Sequence, residues 1–533
     1  MPESDHTGLD VHDDAVDGVP AIWATIDGDY CGALVFGVGN RDLTPATVRL
    51  HHLVEHLVMR RVGRLPVENN AASSLDSTLF YAVGEPSQVA EFLGRVASAV
   101  SKLDTLTDAD IALEVATIAT EVGPQTVYAA TGPLSLRWGV AGLGLADLGH
   151  APLASFTAED VRRFARRWLV AQNARVVLTG PPPEGLRLAL PSGDRPARPE
   201  HPEPVPGELP ALGWVAGAGI TLSMIVEGGF TVRAVAGAVI EEAMLRRLRM
   251  ESGHVYSAEL VSWWLGQSRA LWLIALDPDD AHVEVALTAA RDVLRALATD
   301  GPDNEVLSHA QDSMRASWRS TDGRRGWLFS RAEAELAGLS APSWEMLTEG
   351  LRAVTADEVA SLVSAGLPSL IMTIPEHIEL STQATEQLDA EHVTPRRPYR
   401  TYESTSSREL MRDLLTNGQP PAGRGSTAKA LFDDAITSHH GKWSGPHRGH
   451  DMWLGPHQIA LPDLGVKIPV SEIALIGKDD DGDYEIVTAQ GGVLYINPDH
   501  WRGAAKPWEK LVGSMPDEVV RHKPGFPRAT GAR

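Results

Sequence analysis

An internal repeat constrains the fold of this chain more than any single motif does. Thr157-Ala158-Glu159-Asp160-Val161 and Thr355-Ala356-Asp357-Glu358-Val359 match in residue class at all five positions. Each segment has a threonine followed three residues later by an acid, a pattern that caps the start of a helix. Each predicted helix then runs into a short apolar stretch typical of a buried strand. Two copies of one arrangement indicate duplication, so the sequence predicts two similar units.

The predicted helices and strands place the chain in the α+β class. We expect two duplicated α/β-sandwich domains, in which helices cover a sheet, followed by a small C-terminal domain that is mainly β. Proline, glycine and polar residues mark the two linkers, and the acidic first 17 residues are predicted to be disordered. The predicted boundaries are 18–183 for the first unit, 184–210 for a proline-rich linker, 211–380 for the second unit, 381–449 for a polar linker and 450–515 for the third unit.

Charge and cysteine content exclude several classes of function. The net charge is −23 at pH 7, so a nucleic acid or an anionic membrane surface would be repelled, and we expect neither as a partner. Cys31 is the only cysteine, which excludes an intrachain disulfide and a zinc site built on several thiolates. The acidic start of the chain has no signal-peptide pattern, and no apolar run is long enough to span a bilayer. We therefore expect a cytoplasmic protein without membrane insertion.

The stretch His51-His52-Leu53-Val54-Glu55-His56 contains the pattern H-x-x-E-H. On a helix, His52 and His56 lie about 40° apart and Glu55 lies about 60° to the other side of His52, so the three side chains share one face. Two imidazoles at positions i and i+4 can hold a zinc ion. The alternative is an amphipathic helix whose polar face happens to carry histidines. The motif therefore predicts Zn²⁺ as a cofactor, with that alternative still open.

A catalytic zinc ion needs a third protein ligand and leaves one position for water. The candidate ligand lies on the helix predicted after Thr107, which carries Glu114 and Glu121. The two acids are seven residues apart and therefore lie on one face, two turns from each other. They could also be the solvated face of that helix.

Together these segments resemble the family of pitrilysin, insulin-degrading enzyme and mitochondrial processing peptidase, which are inverzincin zinc metallopeptidases. The resemblance covers about residues 18–380 and includes segments on both sides of the H-x-x-E-H motif. The matching segments are Gly37–Asp42, His52–His56, Asn70–Ala71, Thr78–Ala82, the pair Glu114 and Glu121, and Leu248–Tyr256 in the second unit.

The resemblance implies a zinc-dependent endopeptidase that cleaves peptides or unstructured protein segments. It implies that His52, His56 and Glu121 bind the zinc ion. It further implies that Glu55 is the general base and that Glu114 is a carboxylate that orients a ligand.

The same resemblance implies how substrate is bound. Asn70 and its strand would bind the substrate backbone by edge addition, and Arg249 and Tyr256 would clamp the substrate. Without the resemblance, these two residues would be read as ordinary packing and surface positions. In the family, two such halves close as a clamshell, so we expect a homodimer, or a heterodimer with a related chain, with this pair acting in trans.

Two other functions remain open. The chain could be a non-catalytic scaffold of the same fold, although a scaffold has no need to keep Glu55. It could also be the peptide-binding subunit of a heterodimeric peptidase, which would bind a peptide without cleaving it. The third unit resembles a pleckstrin-homology-like fold, which implies binding rather than chemistry.

Two further signals are interpreted as structural. Asp479–Asp483 fails the calcium-loop pattern and is predicted to be a hairpin turn. Five histidines crowd one segment, but the glycine, proline and serine residues between them give no register that would bring them together. These histidines are His439, His440, His447, His450 and His457.

Overall fold

A computed structural model describes residues 8–121, 132–147, 153–202, 204, 209–215, 217–388, 437–441, 450–461, 466–516 and 518–523. Helices and several sheets alternate along the chain, which confirms the predicted α+β class. Over these ranges, none of the helices combines the length and the apolar character needed to cross a membrane.

The first unit is a six-stranded sheet with helices packed on one face. Its strands are β1 (Val11–Val16), β2 (Val19–Ala24), β3 (Tyr30–Phe36), β4 (Glu68–Ser73), β5 (Thr78–Gly84) and β6 (Ala174–Leu178), in the order β1-β2-β6-β3-β5-β4. Its helices are α1 (Leu50–Val62), α2 (Pro86–Ser101), α3 (Asp108–Glu121), α4 (Gly132–Trp138) and α5 (Ala158–Trp168). Phe36 and Phe80 of the sheet, Leu53 of α1 and Phe92 of α2 are fully buried in a shared core. The sheet therefore gives α1 a rigid base.

The second unit repeats this arrangement with five strands in the order β7-β11-β8-β10-β9. The strands are β7 (Ala211–Val215), β8 (Ile220–Glu227), β9 (Ala258–Trp264), β10 (Arg269–Leu276) and β11 (Ile371–Pro375). The helices are α6 (Phe230–Met244), α7 (Val283–Asp300), α8 (Asn304–Arg319), α9 (Thr321–Leu336), α10 (Trp344–Gly350), α11 (Ala356–Gly366) and α12 (Thr382–Gln387), with a π-helical turn, Leu245–Met250, after α6.

Strand order and helix caps agree with the predicted duplication. In both sheets, two neighbouring strands are parallel and the next is antiparallel to them, namely β2, β6 and β3 in the first unit and β7, β11 and β8 in the second. Helices α5 and α11 both begin with the predicted capping box, formed by Thr157 with Asp160 and by Thr355 with Glu358.

Each sheet is covered on its second face by a helix from the other unit. Helix α9 of the second unit buries Leu328 and Leu336 against Ile22 and Val35 of the first sheet. In return, α4 of the first unit packs against the second sheet, where its Leu134 and Trp138 contact Leu271 and Leu273. The guanidinium of Arg137, also on α4, donates hydrogen bonds to the carbonyl oxygens of Ser223 and Ser369. Each unit has its own apolar core, and a helix from each unit completes the packing of the other unit's sheet.

Irregular chain between the units is tied to the first unit at Arg198. This residue lies within the predicted proline-rich linker, and it forms two hydrogen bonds with the Asp42 carboxylate, of 3.0 and 2.6 Å. The Asp42 side chain is fully buried. Close by, Arg41 pairs with Asp76 and donates to the carbonyl oxygen of Pro199. This part of the linker is therefore strapped to the segment that precedes α1.

In its described residues, the third unit has two four-stranded sheets and one helix. Its strands are β12 (Thr437–His440), β13 (Asp451–Leu454), β14 (Gln458–Leu461), β15 (Val466–Pro469), β16 (Ile473–Asp479), β17 (Tyr484–Thr488), β18 (Val493–Ile496) and β19 (Val520–Lys523), and its helix is α13 (Ala505–Val512). Strands β12 and β19 lie outside the predicted range 450–515. Leu475 and Val487 pack against Ala46 and Val48, which immediately precede α1. The third unit therefore packs against the segment that precedes α1.

The structure corrects one prediction at the start of the chain and confirms one in the third unit. Residues 11–16 are not disordered but form β1, because Asp17 and Gly18 adopt the positive φ angles of a tight hairpin turn and return the chain to β2. The predicted hairpin at Asp479–Asp483 is confirmed: β16 and β17 are antiparallel, and Asp479 accepts the backbone N–H groups of Asp481 and Asp483.

Candidate metal centre

Helix α1 presents its apolar face to the core and His52 and His56 to the opposite side, whereas His51 is buried. Leu53, Leu57 and Val58 are fully buried, because they lie on the stripe that packs against the sheet and α2. Gly63 follows the helix with a φ of 70° and ends it, as the sequence Val62-Gly63 predicts. The sequence Thr44-Pro45 predicts an earlier start, with threonine as N-cap and proline at the first helical position, but α1 begins only at Leu50. Arg49, immediately before the helix, has a left-handed φ of 68°, which interrupts any continuation from that turn.

The structure brings His52, His56 and Glu121 together. The Nε2 atoms of the two histidines are 3.2 Å apart, and Oε2 of Glu121 lies 3.0 Å from Nε2 of His56 and 3.9 Å from Nε2 of His52. In the part of the chain that the structure describes, no other trio of His, Cys, Asp or Glu brings its ligand atoms within such reach.

This donor set fits a zinc ion. Zinc takes imidazole nitrogen and carboxylate oxygen at about 2.0–2.2 Å, and a tetrahedral arrangement separates such ligand atoms by about 3.3–3.5 Å. The three observed separations lie on either side of that range. Two histidines from one helix and a carboxylate from another would leave a position for water, as catalytic zinc sites do.

Glu114 lies beside this group but not in it. Its Oε2 is 3.7 Å from Nδ1 of His56, and its Oε1 accepts a hydrogen bond of 2.9 Å from Arg60. The Glu114 side chain is only 8% exposed, so it is not part of a solvated helix face, whereas that of Glu121 is 55% exposed. Helix α3 therefore directs both acids towards α1, one buried and one open to solvent.

Glu55 also lies at this centre. Its Oε2 is 3.9 Å from Nε2 of His52, and the side chain is 11% exposed. Burial, and then the charge of Glu121, raise the pKa of Glu55 to about 7. A cation held by the neighbouring ligands would favour the ionised carboxylate and so lower this pKa.

An open cavity of about 490 Å³ gives access to these side chains. The residues that line it come from α1, β4 and α3, and they are Glu55, His56, Met59, Arg60, Asn70, Ala71, Glu114 and Glu121. Strand β4 is the last strand of its sheet and pairs with β5. Its outer edge can accept an extended peptide next to His52, His56 and Glu121. Asn70 is thus at the cavity, as expected, and its Oδ1 accepts the backbone N–H of Ala71.

Arg249 and Tyr256 lie elsewhere. They belong to the second unit, where the Arg249 guanidinium stands 4.8 Å from the centroid of the Tyr256 ring. Tyr256 is 75% exposed, and neither residue is among the described residues that line the cavity. Within one chain, the structure does not bring this pair to the three candidate metal ligands.

Sequence reasoning missed Arg60. The signal was present, because His52, His56 and Arg60 follow one another at intervals of four residues and so occupy one stripe of α1. What the sequence does not contain is the partner of Arg60, which lies on a different helix.

Solved structures share this fold. No protein-family model and no curated protein matches the chain. A protease from Helicobacter pylori matches with 14% identity and a TM-score of 0.55, over 68% of this chain and 99% of that one. An M16 peptidase domain from Pseudomonas fluorescens, described as inactive, matches with 13% identity and a TM-score of 0.54, over 70% of this chain and 99% of that one.

A third match extends the comparison to a longer enzyme. Pitrilysin matches with 14% identity and a TM-score of 0.51, over 76% of this chain but only 52% of its own length. The structural similarity establishes the fold. Because the sequence identities are this low, the chemistry has to be inferred from the residues of the site itself. The predicted resemblance is thereby confirmed at the level of architecture, and this chain has the fold of the M16, or pitrilysin-like, peptidases.

Proposed function

We propose that this protein is a zinc-dependent endopeptidase. The observation that carries the proposal is the convergence of His52, His56 and Glu121 next to the buried Glu55. His56, Glu121 and Glu55 line a cavity that opens beside the edge strand β4. Such a set of two imidazoles, one carboxylate ligand and one further carboxylate matches the needs of metal-assisted hydrolysis.

His52, His56 and Glu121 would hold the ion. When bound, zinc lowers the pKa of a water molecule and polarises the carbonyl group that is to be attacked. Glu114 would keep the ring of His56 in place, because a histidine ligand is oriented by what its second ring nitrogen faces.

Glu55 would move the proton. It takes a proton from the attacking water as the oxygen bonds to the carbonyl carbon of the substrate. The same carboxyl group then gives that proton to the leaving nitrogen as the C–N bond breaks, so Glu55 ends the cycle ionised. Its position suits this role, because the Glu55 carboxylate lies 3.9 Å from Nε2 of His52 and lines the cavity through which a substrate would enter.

Peptides or unstructured segments are the expected substrates. A strand added to β4 is bound through backbone hydrogen bonds, which place few demands on side chains, and Asn70 lies beside that path. A folded protein would first have to release an extended segment.

We further propose that two chains complete one site. Arg249 and Tyr256 are both exposed and lie outside the cavity beside the proposed ligands. This chain spans only about half the length of pitrilysin, which supports a site built from two such halves. A homodimer, or a heterodimer with a related chain, would bring this pair to the zinc of the other half. A cytoplasmic location remains a prediction from the sequence.

The test compares the wild type with Glu55→Gln. Zinc content is measured by elemental analysis, and cleavage of an unstructured peptide pool is followed by mass spectrometry. We expect close to one zinc ion per chain in both proteins and a loss of cleavage of about 10²–10⁴-fold in Glu55→Gln, the usual contribution of a general base. A wild type without zinc would refute the proposal.

One comparison favours a second function, that of a peptide-binding subunit without activity. The Pseudomonas fluorescens domain that shares the fold is described as inactive. In that case the wild type would bind peptides in a fluorescence anisotropy assay and leave them intact, both alone and after mixing with a related chain that contains zinc.

A further inference from the structure

Arg60 continues the stripe of zinc-site residues along α1. It lies one turn beyond His56, and its Nη1 donates a hydrogen bond of 2.9 Å to Oε1 of Glu114. The other oxygen of the same carboxylate is 3.7 Å from Nδ1 of His56. A single carboxylate therefore lies between the arginine and a metal-binding histidine.

The environment of Glu114 makes this contact consequential. With 8% of its side chain exposed, the carboxylate has lost most of its contact with water and depends on protein partners. Arg60 is 42% exposed, so its guanidinium can remain hydrated while it satisfies the buried acid. An arginine–carboxylate hydrogen bond is charge-assisted and directional, and it fixes the rotation of the carboxylate.

We propose that Arg60 is a positioning residue for the zinc site, acting through Glu114 on His56. By holding Oε1, it leaves Oε2 directed at Nδ1 of His56, which turns Nε2 of that ring towards His52 and Glu121. It also keeps Glu114 from rotating towards the metal position, where it would compete with Glu121. The inference rests on the proposed zinc binding and adds a fifth residue to it.

The chain contains a matched control at the next position. Arg61 has the same side chain, but it contacts the carbonyl oxygen of Lys102 and the hydroxyl of Thr105 and has no contact with Glu114. Replacing Arg61 removes one positive charge from almost the same place. Any effect on zinc that is specific to Arg60 must then come from its contact and not from the charge of the surface.

The experiment measures zinc affinity by competition with a chromophoric chelator. Loss of such an orienting contact typically weakens metal binding by about 10–100-fold. We expect this loss in Arg60→Gln, a smaller one in Arg60→Lys, and wild-type affinity in Arg61→Gln. The absorption spectrum of the cobalt-substituted protein should change in Arg60→Gln and not in Arg61→Gln, which reports ligand geometry independently of turnover.

A double variant separates positioning from general destabilisation. If Arg60 acts through Glu114, Arg60→Gln combined with Glu114→Gln binds zinc as weakly as Glu114→Gln alone. Additive losses would overturn the inference, as would wild-type affinity in Arg60→Gln. A wild type that binds no zinc would instead refute the proposed function.

Discussion

The two units have the same strand order, yet they differ in the segment that leads from the central strand into the next helix. In the first unit, residues 37–49 separate β3 from α1, and they contain buried charges and the contact with the third unit. In the second unit, only Gly228 and Gly229 separate β8 from α6. The shared sheet therefore does not require the longer connection, which serves to place α1.

The helix pairs that follow differ in the same sense. Helices α1 and α3 meet through two histidines and two acids of the metal centre. The corresponding helices α6 and α8 face each other through His309 and Glu242, 3.7 Å apart, and His309 is 62% exposed. One scaffold thus supports both interfaces, and the interface of the first unit differs in burying an acid, Glu114, beside a histidine.

The largest expected effect concerns the difference between the two helix pairs. His56→Ala removes a ligand from the first unit, and we expect zinc to be lost on dialysis, together with nearly all peptide cleavage. His309→Ala makes the same change in the second unit and should leave zinc content and cleavage as in the wild type. Elemental analysis of both dialysed proteins decides the matter, and equal zinc in the two variants would contradict the assignment of the metal to α1.

The next effect concerns the buried pair in the longer connection. Asp42→Asn removes the principal counter-charge of Arg198, which is nearly buried. We therefore expect the free energy of unfolding of the first unit to fall by about 3–5 kcal/mol. Arg247→Gln breaks the exposed pair with Glu251 after α6 and should cost at most about 1 kcal/mol. Denaturant unfolding followed by circular dichroism measures both, and similar losses would show that burial is not what separates them.

A smaller effect is expected at Gly39 and Gly229, which lie in the two connections. A Cβ atom on Gly39 would stand 2.3 Å from the backbone of Leu75, so Gly39→Ala should destabilise the first unit by about 1–3 kcal/mol. A Cβ atom on Gly229 meets nothing within 4 Å, and Gly229→Ala should change stability by less than about 1 kcal/mol. Thermal unfolding of the two variants measures these effects. A midpoint for Gly39→Ala equal to that of the wild type would contradict the prediction.

The features that sequence could predict are those set by local geometry. The shared face of His52, Glu55 and His56 follows from helical spacing alone, and the two capping boxes follow from a threonine and an acid three residues apart. The turn residues Asp17-Gly18 signal the strand β1, but the prediction rested on the acidic composition and did not use them.

The remaining features depend on contacts between distant segments. The start of α1 is set by Arg49, whose left-handed conformation is held by hydrogen bonds to Asn40 and to the carbonyl oxygen of Ala146. The packing of Glu114 against Arg60 joins two helices, and spacing within either helix says nothing about it. Glu121 was assigned by resemblance, since no local pattern connects it with the histidines.

The exchange of α4 and α9 between the two sheets has a consequence for how the protein can be divided. A fragment ending before β7 would lack α9 and expose the apolar side chains of Ile22 and Val35, and a fragment beginning at β7 would lack α4 and expose Leu271 and Leu273. We therefore expect the two halves, produced as separate polypeptides, to need co-expression. The pair of units is the smallest part of the chain that keeps these apolar side chains covered.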